Sequence, residues 1–165
     1  MTEQGYGALR ADGDRAAVRF ERRYDGSPAE IWSALTQPDR IRRWLAEVTE
    51  GAVEPSGDFT LRWAADDSQT VSCTVRQFDP PRTLELDWRF AGEPDSVLRI
   101  ELTPADGGGT RLLLDHRQLP PGQAAGYAAG WHAYLAVLSD FDLLSWDSRF
   151  AEYLPVYREQ FATLG

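Results

Sequence analysis

Lysine and asparagine are both absent from this chain of 165 residues. Without lysine there is no Schiff-base catalysis, no Ser–Lys nucleophile and no Walker-type phosphate loop. Without asparagine there is no acceptor for N-glycosylation. These two absences exclude enzymes that depend on a catalytic or phosphate-binding lysine, and they exclude N-glycosylation of this chain.

Cysteine and positive charge are scarce. Cys73 is the single cysteine, so no internal disulfide forms, and the sequence predicts a reducing, cytoplasmic location. The net charge of −9 disfavours nucleic acid and anionic membranes as partners, because both bind basic surfaces. No apolar run approaches the length that spans a bilayer, so membrane insertion is not expected.

Motifs for metal or nucleophilic chemistry are missing as well. The two histidines, His116 and His132, and Cys73 match no metal-ligand spacing. No sequence motif supports a Ser/His/Asp arrangement. We therefore expect neither a metal nor a cofactor, and we interpret Cys73 as an inert core residue because it alternates with polar neighbours.

What the chain does contain is enough apolar sequence for one core. It is 42% hydrophobic and has six tryptophans, whose rings fill cores and also line pockets. Residues 1–15 lack periodicity and are interpreted as a disordered tail. Residues 16–162 are interpreted as a single domain.

Alternation of apolar and polar residues predicts seven strands from Ala16 onward. The clearest strand has Leu84, Leu86 and Trp88 alternating with charged residues. Because nearly every strand has polar alternates, the sheet is expected to be antiparallel with one face in water. A turn is predicted at residues 64–68.

Helical signals frame these strands. Ser27, Pro28 and Glu30 form a capping box that opens the first of two short helices between strands 1 and 2. Near the C-terminus, Tyr127 and Trp131 begin an apolar stripe with helical spacing over at least four turns. Such a long helix buries its stripe by lying across the sheet.

The order of elements resembles the START-like helix-grip fold of the SRPBCC superfamily, in the branch similar to the C-terminal domain of the Hsp90 ATPase activator. The resemblance implies an α+β fold, with a seven-stranded curved antiparallel sheet wrapped around the long C-terminal helix. A curved sheet that wraps around a helix tends to leave a hollow between them, and we expect the function to lie there. Relatives that the resemblance implies include lipid carriers and aromatic polyketide cyclases. The matching residues are 27–32 with Leu35 and Trp44, residues 79–88, residues 102–116, and Gly130 and Trp131 with Leu135 and Leu138.

Inward-facing residues of the helix and the strands are the candidate ligand-binding set. Their structural alternative is an ordinary packed core, since apolar stripes usually pack. The candidates are Trp44, Phe59, Leu61, Trp63, Val71, Cys73, Val75, Leu86, Trp88, His116, Tyr127, Trp131, Tyr134, Leu135 and Leu138.

The two histidines receive different interpretations. His116 has the inward register of its strand, where it would orient a ligand or move a proton, or would simply bond to backbone or water. His132 follows Trp131, projects about 100° around the helix, and is expected at the surface. A second helical stretch, residues 147–161, is expected to pack on the outside.

Three functions remain open. The leading hypothesis is non-catalytic binding of a small hydrophobic or amphipathic molecule, a lipid or an aromatic metabolite, in the hollow. The second is a cyclase- or hydrolase-like enzyme acting on an aromatic substrate, with His116 as general acid or base. The third is an interaction module similar to the Hsp90 activator, or a homodimer, whose hollow is filled.

Overall fold

The computed structural model describes residues 5–63 and 69–164. The turn predicted at 64–68 and the first four residues of the predicted tail lie outside the described residues. The strands are β1 Ala8–Asp12, β2 Arg15–Tyr24, β3 Glu47–Gly51, β4 Asp58–Arg62, β5 Thr70–Asp79, β6 Thr83–Phe90, β7 Ser96–Pro104 and β8 Thr110–Leu119. The helices are α1 Pro28–Thr36, α2 Pro38–Ile41, α3 Ala124–Asp140 and α4 Trp146–Ala162, with 3₁₀ turns at Pro121–Gln123 and Leu143–Ser145.

The strands form one antiparallel sheet in the order β1-β2-β8-β7-β6-β5-β4-β3. Alternation sets its two faces: on β8, Leu112 and Leu114 are fully buried, whereas Arg111 on the outer face pairs with Glu21 at 2.6 Å. The inner face carries the core. The α+β helix-grip fold is therefore present, with eight described strands instead of the predicted seven.

The additional strand is β1, which lies inside the predicted tail of residues 1–15. Its sequence has no clear alternation, but its main chain pairs with β2 from Ala8 to Asp12. Helix α4 holds it from the other side, because the Leu9 amide donates to Oε1 of Gln160 at 2.6 Å. The strand thus depends on partners that are distant in sequence, and local pattern does not reveal it.

Helix α1 begins where the sequence predicted. The Glu30 amide donates to Oγ of Ser27 at 3.2 Å, and the Ser27 amide donates to the Glu30 carboxylate at 3.3 Å. This capping box satisfies two amides that the first turn leaves without helical partners. Trp32 on α1 and Trp44 after α2 are both buried in the hydrophobic core.

Helix α3 lies across the inner face of the sheet, as predicted. The Tyr24 hydroxyl of β2 donates to the Leu135 carbonyl at 2.8 Å, which ties the helix to the sheet. Trp131 is only 3% exposed, and Leu135 is fully buried. None of the helices among the described residues is both long enough and apolar enough to cross a membrane.

His132 is buried, which corrects the expectation that it lies at the surface. Helix α4 packs against α3, and the His132 ring lies between Phe20 of β2 and the tyrosines of α4. The His132 ring stacks on Tyr153 at 3.6 Å, and its Nδ1 lies 2.9 Å from the Tyr157 hydroxyl. Burial, followed by the nearby charges of Arg22 and Arg149, lowers the pKa of His132 to about 3.

Candidate functional site

A cleft of about 430 Å³ opens between α3, α4 and the sheet near β5 and β6. The cleft lies here because Gly126 and Gly130 of α3 have no side chains, which leaves space on this face of the helix. A Cβ atom added to Gly126 would have no neighbour within 4 Å. The aromatic side chains that line the cleft are Trp63, Trp88, Phe90, Tyr127, Trp131, Tyr134, Trp146 and Phe150.

Six of the candidate ligand-binding residues line this cleft. They come from strands β5 and β6, from the residue that follows β4, and from the first three turns of α3. They are Trp63, Val71, Trp88, Tyr127, Trp131 and Tyr134.

The deeper interior between helix and sheet is filled. Trp44, Phe59, Leu61 and Leu86 surround a void of about 30 Å³, together with the inner edge of Trp131 and its neighbours. A void of this size holds about one water molecule. These four candidates therefore form packed core beneath the cleft instead of the walls of a large hollow.

The remaining candidates lie elsewhere. Cys73, Val75 and Leu135 are buried in the core and do not line the cleft. Leu138 lines a separate cleft of about 500 Å³ at the other end of α3. Burial raises the pKa of the Cys73 thiol to about 12, which keeps the thiol protonated and unreactive.

His116 is fully buried beneath the cleft and has both ring nitrogens occupied. The Trp131 indole N–H donates to Nδ1 at 3.0 Å, and Nε2 lies 2.8 Å from the Ser96 hydroxyl. An indole nitrogen only donates, so Nδ1 is the acceptor and Nε2 carries the proton. Ser96 accepts that proton's hydrogen bond, and its own hydroxyl donates to the Trp88 carbonyl at 3.5 Å.

This hydrogen-bond chain fixes the charge and the role of His116. Desolvation by burial lowers its pKa to about 3, so the ring is neutral at physiological pH. His116 is not among the residues that line the cleft. His116 therefore holds Trp131 and Ser96 in place, and the geometry gives it no contact with a molecule in the cleft.

The aromatic side chains form a continuous wall. Trp88 packs edge-on against Trp131 at 5.6 Å, and Trp131 contacts Tyr134 at 6.1 Å. Tyr134 lies 5.0 Å from Trp146, which stacks on Phe150 at 4.8 Å. Rings in such arrangements present flat apolar surfaces that suit an aromatic or aliphatic ligand.

One side of the cleft is polar. The Trp88 indole donates to the Tyr127 hydroxyl at 3.3 Å, and that hydroxyl donates to Oε1 of Glu93 at 2.6 Å. Glu93 belongs to the turn between β6 and β7. Burial, reinforced by the Glu93 carboxylate, raises the pKa of the Tyr127 phenol, so the hydroxyl keeps its proton and remains a donor.

Sequence reasoning missed several residues of the site. Trp146 and Phe150 belong to α4, which was expected merely to cover the outside, and Glu93 lies in a short acidic turn without a motif. Ser96 begins a strand and gives no functional signal. Only the distance of each residue from α3, which is a tertiary property, identifies them.

No set of three metal-ligating side chains comes together anywhere in residues 5–63 and 69–164. Among the described residues that line the cleft, the one charged side chain is Glu93, which accepts a hydrogen bond from Tyr127. The cleft therefore offers apolar surface, hydroxyl groups and one carboxylate.

Comparison with known proteins identifies the family but not a ligand. The family described as activator of Hsp90 ATPase homolog 1-like protein matches residues 25–141. No curated protein matches the sequence.

Solved structures extend the likeness over nearly the whole chain. CalU16 from Micromonospora echinospora has a TM-score of 0.77 and 26% identity, covering 94% of this chain and 96% of that chain. A Bordetella parapertussis protein has a TM-score of 0.69 and 29% identity, covering 95% and 91%.

The Aha1 dimer from Colwellia psychrerythraea is more distant. Its TM-score is 0.66 with 18% identity, and the match covers 75% of this chain and 93% of that chain, so it shows the fold alone. Taken with the sequence match over residues 25–141, these likenesses establish that the chain belongs to the activator of Hsp90 ATPase homolog 1-like family, within the SRPBCC superfamily.

Proposed function

We propose that this protein binds a small hydrophobic or amphipathic molecule in the aromatic cleft, without catalysis. The observation that carries the proposal is the open cleft of about 430 Å³ with eight aromatic side chains along its walls. Its size falls within the range of about 300–1,000 Å³ that is usual for small-molecule sites. A reducing, cytoplasmic setting remains part of this proposal.

The ligand position differs from the one that the sequence suggested. The space beneath Trp131 amounts to only about 30 Å³. The ligand therefore lies in the open cleft and not between α3 and the centre of the sheet. There it contacts Tyr134, Trp146 and Phe150, with its polar end near Tyr127. The ligand-binding set that we propose therefore keeps six of the predicted residues and adds Trp146, Phe150 and Glu93.

A cleft-filling substitution tests the proposal. Gly126 lines the cleft, is helical and has open space at its Cβ position, so Gly126→Phe adds a ring to the cleft wall without a clash at Cβ. Gly122 also has open space but lies outside the cleft, which makes Gly122→Phe the matched control. The probe is N-phenyl-1-naphthylamine, a neutral apolar dye whose fluorescence rises in apolar surroundings.

We expect the wild-type protein and Gly122→Phe to bind one equivalent of the dye saturably. Gly126→Phe should lose at least about tenfold in affinity, because its ring occupies the same space. Equal binding by all three proteins would reject the cleft as the site. Thermal unfolding of both variants checks that they remain folded.

The two alternatives receive less support. Catalysis by His116 lacks a geometric basis, since Trp131 and Ser96 occupy both ring nitrogens. The interaction module or homodimer predicts a filled hollow, and the interior beneath Trp131 is filled, but the open aromatic cleft beside it favours a small-molecule ligand. Sedimentation analysis, with Leu144 as the first residue to mutate because it is 95% exposed, tests the homodimer separately.

A further inference from the structure

We infer that the molecule bound in the cleft carries a positively charged amine that faces Glu93. This inference rests on the proposed function and adds the charge class of the ligand. Among the described residues that line the cleft, Glu93 is the only charged one, and none is arginine. The other polar side chains of the lining are neutral amides and phenols.

The Glu93 carboxylate is held in position and retains capacity to accept hydrogen bonds. Tyr127 donates one short hydrogen bond to Oε1, and Trp88 holds the Tyr127 hydroxyl in turn. An ionised carboxylate accepts about four hydrogen bonds, so most of its capacity remains for a ligand donor. An ammonium group supplies such donors and a compensating charge, whereas a ligand carboxylate would be repelled.

The aromatic walls favour the same class of ligand. Ring faces attract cations through their quadrupoles, and they do so most strongly in tryptophan. Trp88 packs beside Tyr127, and Trp63 lies 6.0 Å from Trp88 between ring centroids. The cleft thus offers tryptophan rings close to the Tyr127–Glu93 pair, and we propose that the ligand's amine contacts a ring face as well as the carboxylate.

Three arginines near the cleft lie outside its lining. Arg42, Arg43 and Arg62 line a neighbouring cleft on the far side of Trp63 and Tyr134. Arg43 lies 4.5 Å above the Phe141 ring, and Arg62 pairs with Glu47 at 2.8 Å. Neither of these two guanidinium groups is therefore paired with Glu93, and Glu93 is the charged group that the described lining of the cleft presents to a ligand.

Three matched naphthalene ligands provide the test. They are 2-(1-naphthyl)ethylamine, 2-(1-naphthyl)ethanol and the carboxylate anion of 1-naphthylacetic acid. All three have the same ring, and at neutral pH they are positively charged, neutral and negatively charged. Calorimetric titration at neutral pH should give the amine an affinity about tenfold or more above that of the acid, with the alcohol between them. Raising the salt concentration should reduce the ratio of the amine affinity to the acid affinity, because salt screens the charge of the partly exposed Glu93 carboxylate.

Variants separate the carboxylate from the general charge of the protein. Glu93→Gln should reduce the amine-to-acid ratio to about threefold or less while leaving the alcohol unchanged. Glu159→Gln removes one negative charge from an exposed position on α4, outside the cleft lining. This variant should keep the wild-type ratio of amine affinity to acid affinity.

Each outcome bears on one proposal. An acid that binds as tightly as the amine, or a ratio that Glu93→Gln leaves unchanged, would overturn the inferred amine but leave apolar binding intact. If none of the three ligands binds, both the proposed function and this inference are rejected. If the alcohol binds and Gly126→Phe abolishes that binding, the proposed function is supported whatever the charge preference.

Discussion

The indole N–H of Trp131 donates to Nδ1 of His116 across 3.0 Å, from the middle of α3 to strand β8. Both residues are nearly inaccessible to water. The bond therefore joins helix to sheet at the floor of the cleft, and its loss would leave a buried acceptor without a donor. The contribution of this bond to stability can be measured, and three other features of the structure can be tested in the same way.

The first prediction concerns the bond itself. Trp131→Phe keeps an aromatic ring but removes the donor, so Nδ1 of His116 is left unsatisfied. We expect the free energy of unfolding to fall by about 1–3 kcal/mol, measured by urea denaturation. The control is Trp146→Phe, which removes a longer bond to the Gly130 carbonyl (3.4 Å) at a half-buried position. Equal losses in the two variants would contradict the importance of the Trp131–His116 bond.

The second prediction concerns pH. Burial lowers the pKa of His116 to about 3, whereas an unfolded histidine has a pKa of about 6.5. Between these values the unfolded chain takes up a proton that the folded protein refuses. The stability is therefore fully present above about pH 6.5 and declines as the pH falls toward 3.

The size of this effect follows from linkage. At pH 5 the mismatch at His116 removes about 2 kcal/mol of stability relative to pH 8. His132 contributes with the same sign, because its pKa is also lowered. His116→Gln should flatten the decline between pH 7 and 5 in urea titrations. A variant whose decline matches that of the wild type would show that His116 is protonated in the folded protein.

The third prediction concerns β1. Gln160 accepts from the Leu9 amide at 2.6 Å and donates to the Gly7 carbonyl at 3.2 Å. Gln160→Ala removes both bonds, so we expect faster amide hydrogen exchange in β1 and little change in the exchange of β7. Glu159→Ala, one residue earlier on α4, is the control. Unchanged exchange at Leu9 would mean that pairing with β2 alone holds the strand.

The fourth prediction concerns the start of α1. Ser27→Ala removes the acceptor for the Glu30 amide and should cost about 1 kcal/mol of stability in urea denaturation. Ser33→Ala, inside the same helix, exchanges the same residue types without removing a cap. A loss of the same size at Ser33 would assign the effect to serine composition and not to capping.

Local features were readable from the sequence because their causes are local. The capping box at Ser27 satisfies amides three residues away, and the alternation of Leu84, Leu86 and Trp88 follows directly from the pleat of a strand. The inward register of His116 was predictable for the same reason. Its partners were not, because Ser96 and Trp131 come from other elements.

Features that depend on distant partners were decided by the tertiary structure. Strand β1 forms because β2 and α4 both lie beside residues 8–12, and His132 is buried because side chains of α4 and β2 surround its ring. The division of the candidate residues between an open cleft and a filled core likewise depends on the separation of α3 from the sheet. Periodicity tells which face of an element is apolar, but only packing determines whether another element, a ligand or water covers that face.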